Sequence, residues 1–222
     1  MSILVYRDRS AAAAAAATLI AARVIEDPSS ALGFEYAREL VPAYRELVRM
    51  TDEGLLDWAD VRSFVLSENV QRDAGRSVAA TLKERFFDRV GQPEEKRFVP
   101  ETGSTDWNRN CTAFEDAILR EGGLDLAFVS VGADGSVAGN RPAEVLSPVT
   151  HVERTDAGRI VTAGITTLMK ARRLVVLMTG ADKAEIAPQV FRGPVLPGVP
   201  AGYLQMHGNA VFLLDEEAAA RL

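Results

Sequence analysis

LDLAFVSVGADGSVAGNRP, residues 124–142, is the stretch that decides the fold class. Its first part is a nearly continuous apolar run, which is typical of a strand covered by helices on both faces. A loop of glycines, small residues and one carboxylate follows directly. RRLVVLMTG at 172–180 repeats the arrangement ahead of a short helix. Units of this kind predict a parallel sheet that binds ligands beyond the carboxyl ends of its strands.

Outward from this stretch, strands and helices alternate along the chain. Apolar runs predict strands at 2–6, 31–34, 61–66, 124–132, 172–180 and from 210 onward. Helical spacing predicts helices at 11–26, 36–50, 79–91, 109–121 and 181–191, with a helical end after the last strand. Ser10 is expected to cap the first helix, and residues 92–108 are typical of a surface loop. We therefore predict one α/β domain spanning 1–222, with a mostly parallel sheet and helices on both faces.

Composition and charge argue against several classes of partner. The 222 residues are 47% hydrophobic and 25% charged, which is ordinary for a globular protein. A net charge of −6 argues against nucleic acid or an anionic membrane as the main partner. The alanine-rich run from residue 11 has charged residues on both sides and is shorter than the roughly 20 apolar residues that span a bilayer. We expect a cytoplasmic protein that binds a small molecule; a homo-oligomer remains open.

Cysteines, histidines and tryptophans are few. Cys111 is the single cysteine, so no intrachain disulfide forms, and we expect it to be a small buried hydrophobe. His151 and His207 are not spaced as a helical metal pair, so neither a metal nor another cofactor is expected. We place His207 in a partly buried, hydrogen-bonded position and His151 in a surface loop. Trp58 and Trp107 border polar segments and are candidate interface residues.

Three segments carry a resemblance to a known family: the opening stretch, AGITTLMKARRLVVLMTGADKAE at 163–185 and AGYLQMHGNAVFLLDEEA at 201–218. They resemble the glucosamine-6-phosphate deaminase and 6-phosphogluconolactonase superfamily, nearer to the deaminase branch. Weaker similarity extends through 31–54 and 61–69. The resemblance implies a Rossmann-like domain of the deaminase, ribose-phosphate isomerase and CoA transferase type, and a sugar phosphate as ligand.

The opening loop resembles the family loop G-x-D-G-H-I-A-F-N-E-P. The resemblance implies that Gly132, Asp134, Gly135 and Asn140 belong to the ligand loop. Two positions are exchanged, with Ser136 in place of the family's ring-opening histidine and Arg141 in place of the deaminase glutamate. Asp134 has two open interpretations: a carboxylate that contacts or deprotonates the sugar, or an acceptor within its own Asp-Gly turn.

The proton-transfer position is also exchanged. The deaminase branch has an aspartate in an N-M-D-E run, and the corresponding run here places Ser67 at that position, followed by Glu68. A serine hydroxyl titrates far above neutral pH and does not take this proton unaided. Glu68 is the alternative base if it turns inward.

Phosphate binding depends on two further segments. Residues 35–40 align with the family's P-T-G-G-T-P loop but contain no glycine, and bulky side chains obstruct close approach of backbone amides to a phosphate. Arg38 is a candidate side-chain substitute. Lys183 matches the family lysine that contacts the phosphate; the alternative is an exposed lysine in a turn. The chain between 142 and 159 is shorter than in the deaminases, which have an active-site lid there.

These observations favour a diverged sugar-phosphate enzyme that acts on a phosphorylated hexose or amino sugar by a changed mechanism. Lys183 then binds the anion, with Asp134 and Glu68 as the available carboxylates. The main alternative is a non-catalytic member that binds a small metabolite or a protein. Two further hypotheses stay open: a lactonase-type hydrolase, and a structural subunit whose pocket is filled by side chains.

Overall fold

The computed structural model of the protein describes residues 1–70 and 76–222. The described strands are β1 (Ser2–Tyr6), β2 (Ala31–Phe34), β3 (Arg62–Val65), β4 (Ser67–Asn69), β5 (Arg97–Phe98), β6 (Leu126–Ser130), β7 (His151–Thr155), β8 (Gly158–Thr162), β9 (Leu174–Met178) and β10 (Ala210–Asp215). The described helices are α1 (Arg9–Glu26), α2 (Val41–Asp52), α3 (Val78–Leu82), α4 (Trp107–Arg120), α5 (Ile165–Met169) and α6 (Ala187–Arg192).

The main sheet of the described residues has seven strands in the order β1-β10-β9-β6-β2-β3-β5. Every neighbouring pair in it is parallel. The chain builds the sheet in one direction from β2 through β3 to β5, and in the other from β6 through β9 to β10. The order therefore reverses between β2 and β6. Ligands of open parallel sheets bind at such a switch point.

Helices cover both faces of this sheet. Along β6, Leu126 and Phe128 belong to one apolar core cluster, whereas Ala127 and Val129 belong to the other. The first cluster contains the buried faces of α1 and α2, and the second contains those of α4, α5 and α6. Burial on both faces explains the continuous apolar runs. The predicted α/β class with a mostly parallel sheet is confirmed.

Aromatic packing corrects the expectation for Trp58. Its side chain is only 1% exposed and packs edge-to-face on Phe86, with ring centroids 5.1 Å apart. The indole N–H donates to the Thr51 hydroxyl at 2.9 Å. Trp58 is therefore a core residue, because its only polar atom is satisfied inside the fold.

Helix boundaries differ from the predictions in several places. Asp8, not Ser10, caps α1: its carboxylate accepts a hydrogen bond of 2.8 Å from the Ala11 N–H. The predicted helix at 36–50 begins later, at Val41, because a 3₁₀ turn over Arg38–Leu40 precedes it. The chain after β10 forms hydrogen-bonded turns instead of the predicted helical end.

A second, three-stranded antiparallel sheet is absent from the sequence prediction. Its order is β4-β8-β7, and His151 begins β7, so the prediction of a surface loop there is wrong. The residues of β7 are mostly half-buried and polar, and the strand lacks an apolar run. Two other predictions are confirmed: Cys111 is buried, and buried His207 places Nε2 2.7 Å from the Ala171 carbonyl oxygen. None of the described helices is long and apolar enough to cross a membrane.

Candidate functional site

The predicted ligand loops lie at the carboxyl edge of the main sheet. VGADGSVAGNRP follows β6, and TGADK follows β9. The third predicted loop, ENVQRD at 68–73, falls partly on residues 71–75, which lie outside the described residues. The segment after β2 adjoins β6 at the switch point.

Backbone hydrogen bonds fold the loop after β6 into tight turns. The Gly132 N–H donates to the Ser136 carbonyl, and the Gly135 N–H donates to the Gly132 carbonyl, both at 2.9 Å. A Cβ atom at position 132 would lie 2.3 Å from the Ser136 hydroxyl oxygen, and Gly135 has a φ of +81°. The backbone angle therefore favours glycine at position 135, and a side chain at position 132 would displace the Ser136 hydroxyl.

Asn140 fixes the far end of this loop. Its side-chain amide donates to the carbonyl oxygens of Val137 at 3.1 Å and Ala163 at 2.9 Å. Arg141 lies 3.6 Å from Asp156, which is in the turn between β7 and β8. The contact with Ala163, directly after β8, and the contact with Asp156 hold the loop against the β7–β8 hairpin.

Asp134 is exposed and accepts a hydrogen bond of 3.0 Å from the Ser136 N–H. Partial desolvation acts to raise the pKa of the Asp134 carboxyl, but hydrogen bonds from the Ser136 hydroxyl and N–H, with the charge of Arg141, lower it overall. A carboxylate with a lowered pKa is a weak base. The geometry favours the turn interpretation of Asp134.

Ser67 and Glu68 lie in β4, beyond the end of β3. Both side chains are buried, Glu68 to 3% exposure. The Glu68 carboxylate accepts hydrogen bonds of 2.7–2.8 Å from the N–H groups of Asn69, Val78 and Ala79 and from the Ser77 hydroxyl. It is turned toward the start of α3, and these donors occupy its lone pairs. With these contacts Glu68 is poorly placed to act as the alternative base.

Glu35, directly after β2, is the residue that sequence reasoning missed. Its carboxylate accepts hydrogen bonds from the Ser130 N–H at 2.7 Å and the Ser130 hydroxyl at 3.2 Å, at the end of β6. Burial, reinforced by the charge of Glu39, raises the pKa of Glu35 to about 7, against the opposing hydrogen bonds from Ser130 and from the Ala138 N–H. The available signal was an acid immediately after the apolar strand ALGF.

A cation-lined cleft of about 400 Å³ opens beside the ends of β1, β2 and β9. Its lining residues are Arg9, Arg38, Glu39, Pro42, Thr179, Asp182 and Lys183. This set brings together two predicted residues, Arg38 and Lys183, and adds Arg9. We refer to it as the Lys183 cleft.

Lys183 is only 7% exposed, so the alternative of an exposed turn lysine is wrong. Its ammonium nitrogen lies 2.6 Å from Asp182 and 4.0 Å from Glu39. Arg9 lies so close to Gly180 that a Cβ atom there would be 2.3 Å from the guanidinium. In the described part of the chain, no group of three His, Cys, Asp or Glu side chains is arranged to hold a metal ion.

Comparison with known proteins identifies the family to which this fold and site belong. Residues 9–213 match the profile of the family described as glucosamine-6-phosphate isomerases/6-phosphogluconolactonase. The chain belongs to this family. The resemblance found in the three sequence segments is thereby confirmed.

Relatives in the family match along the whole chain. A glucosamine-6-phosphate deaminase of Halothermothrix orenii is 31% identical over 241 aligned positions, covering 100% of both chains. A glucosamine-6-phosphate deaminase of Arthrobacter sp. is also 31% identical and is covered to 93% of its length.

Solved structures of the family share the fold. A monomeric glucosamine-6-phosphate deaminase superposes with a TM-score of 0.94 at 22% identity, with 100% of each chain covered. The 6-phosphogluconolactonase of Trypanosoma brucei superposes with a TM-score of 0.79, also at 22% identity, covering 100% of this chain and 98% of its own. At these identities the likeness supports the family fold.

Proposed function

We propose that this family member is a deaminase- or isomerase-like sugar-phosphate enzyme that acts on a phosphorylated hexose or amino sugar with a changed proton-transfer group. The observation that carries the proposal is the position of Glu35 at the switch point, where its carboxylate contacts the end of β6 and feels the charge of Glu39, which lines the Lys183 cleft. Glu39 connects Glu35 with the Lys183 cleft. Its negative charge helps to raise the pKa of Glu35, and its carboxylate lies 4.0 Å from the Lys183 ammonium nitrogen.

The Lys183 cleft supplies the phosphate site in this proposal. Lys183, Arg38 and Arg9 provide three positive charges where the family loop offers backbone amides. Asp182, the nearer of the two carboxylates beside Lys183, has a side chain that is 58% exposed. A phosphate dianion therefore replaces Asp182 at little cost, because an exposed carboxylate regains water when it is displaced.

Glu35 supplies the proton transfer. A carboxyl group with a pKa of about 7 is half ionised at neutral pH, the state suited to taking a proton from carbon beside a carbonyl and returning it to the neighbouring carbon. The Ser67 hydroxyl is too weakly acidic to ionise at neutral pH. The Glu68 carboxylate is held by hydrogen bonds from Ser77, Val78 and Ala79 at the start of α3. Ser136 then acts as a hydrogen-bonding group for a sugar hydroxyl, while Asp134 holds the turn that positions it.

This proposal includes a small phosphorylated ligand, a cytoplasmic location and one domain over 1–222. A non-catalytic sugar-phosphate binder is the rival function, favoured by the exchange of the family histidine for Ser136. Binding without turnover distinguishes it from the enzyme.

The test is calorimetric titration of the protein with a panel of hexose and amino-sugar phosphates, followed by a product assay on each ligand that binds. Lys183→Ala should weaken binding at least about ten-fold. Lys170→Ala, an exposed lysine outside the cleft, is the matched control.

Glu35→Gln should retain binding and lose about 100-fold in kcat, the lower end of the usual contribution of a general acid–base. Full turnover by Glu35→Gln removes Glu35 from the mechanism. Absence of binding by every phosphate in the panel overturns the proposed function, and binding without product supports the rival function.

A further inference from the structure

A second basic cleft lies between the start of α2 and the segment after α3. It has a volume of about 370 Å³, and among the described residues it shares no lining residue with the Lys183 cleft. Its lining residues are Tyr36, Val41, Tyr44, Arg45, Glu84, Arg85 and Arg89. We call it the arginine cleft.

Its three arginines have no acidic partner in the described part of the chain. Among the described residues, no carboxylate lies within 4.0 Å of a side-chain nitrogen of Arg45, Arg85 or Arg89. Glu84, the acid of the cleft, pairs with Arg76 instead. Nearby, Arg49 of the same helix as Arg45 is held by two glutamates, Glu46 and Glu53.

This grouping is not a consequence of surplus positive charge. The chain has 31 acidic and 25 basic residues, so carboxylates are available in excess. Like charges that face one cleft repel one another, and the repulsion is relieved when an anion enters. Pockets of about 300–1,000 Å³ are of the size that binds small molecules.

The local backbone places Arg85 on the surface of the cleft. The segment Lys83–Phe87 is a widened π-type turn, in which the Asp88 N–H donates to the Lys83 carbonyl at 2.9 Å. Such turns occur frequently at functional sites. Phe86 and Phe87 are buried by it, while the neighbouring Arg85 is exposed.

Neutral aromatic residues complete the cleft. Burial, with the negative charge of Glu35 as a smaller cause, raises the pKa of the Tyr44 hydroxyl well above its usual value, so this side chain stays neutral. The Tyr44 hydroxyl donates a hydrogen bond to the Glu35 carbonyl oxygen. The lining therefore carries three positive charges and one negative charge that is already paired.

We propose that the arginine cleft is a second anion site, separate from the Lys183 cleft, and that it binds the diphosphate group of a small molecule. Guanidinium groups bind phosphate oxygens with two parallel hydrogen bonds each. The three arginines match the several negative charges of a diphosphate, and the cleft dimensions admit a compact group.

The test is isothermal titration with inorganic pyrophosphate as the probe. The double variant Arg85→Ala/Arg89→Ala alters exposed side chains only and should weaken the site at least about ten-fold. Arg192→Ala is the matched control, an exposed arginine on α6 outside both clefts. Arg192→Ala should keep the affinity for pyrophosphate within about two-fold of the wild-type value, because it removes one distant charge that salt screens.

Lys183→Ala should retain this pyrophosphate site. Loss of all pyrophosphate binding in Lys183→Ala, equal weakening by Arg192→Ala, unchanged binding in the double variant, or no binding to the wild type overturns the proposal. Failure of the sugar-phosphate panel leaves this result unaffected, because the probe and the substituted residues differ.

Discussion

At the residue scale, Glu35 combines two properties that a sequence does not show together. The position of Glu35 directly after an apolar strand can be seen in the sequence. Its contact with Ser130 cannot, because the two residues are 95 positions apart in the chain. The raised pKa follows from that burial between β2 and β6. Family loop patterns guided the other site predictions, and they direct attention to Ser67 and Ser136, the positions that the resemblance predicts to be exchanged.

The Glu35 proton makes stability depend on pH. The folded protein holds this proton up to about pH 7, whereas the ordinary pKa is 4.5. Between these values the folded state binds more protons than the unfolded state, so this group's contribution to the free energy of unfolding falls as pH rises. Glu35→Gln should therefore gain about 2–3 kcal/mol relative to wild type between pH 5 and pH 8.

Urea unfolding at the two pH values measures this difference. Glu95→Gln, an exposed residue, is the control and should show no change in its difference from wild type. An equal effect of Glu35→Gln at both pH values would mean that the Glu35 carboxyl titrates in the ordinary range.

At the scale of single elements, α1 illustrates how a cap is misassigned. Ser10 is a good cap residue, but Asp8 lies at the N-terminal boundary of α1, where its carboxylate accepts a hydrogen bond from the Ala11 N–H. Asp8→Ala should destabilise the protein by about 1 kcal/mol, whereas Ser10→Ala should change the free energy of unfolding by less than about 0.5 kcal/mol. Thermal or urea unfolding of the two variants checks this, and equal losses would contradict the assignment.

The short helix α3 depends on Glu68. Glu68→Gln replaces one acceptor oxygen by an amide that points its own hydrogens at the donors. We expect faster hydrogen exchange at the Val78 and Ala79 amides and a loss of about 2 kcal/mol. Exchange rates measured by NMR, with Glu101→Gln as an exposed control from the neighbouring segment, test the contact. Unchanged exchange would show that α3 does not need this carboxylate.

Prediction of elements succeeded where burial is complete on both faces. β6 and β9 are buried at every position, so their continuous apolar runs predict these two strands. β7 and β8 are half-exposed hairpin strands, and β4 is three residues long. Their pairing is set by long-range contacts, such as Glu68 opposite Val161, so no local pattern distinguishes them from loops.

At the scale of the whole molecule, the two basic clefts should bind ligands independently. A ligand that binds only the folded state raises stability by about 2.7 kcal/mol at 100 times its dissociation constant. Because the clefts share no lining residue, the melting-temperature increases caused by a sugar phosphate and by pyrophosphate should add. Thermal unfolding with each ligand and with both measures this, and competition between them would indicate one shared site.

The exposed side of β1 has a consequence for handling the protein. β1 is the edge strand of the main sheet and hydrogen-bonds only to β10 among the described strands. Ile3, Leu4 and Val5 are 37%, 43% and 52% exposed. An apolar edge strand favours pairing with another chain, so solubility at high concentration should be limited there. Because β10 and β9 separate this edge from β6, a charged residue introduced in β1 offers a way to improve solubility without touching the switch point.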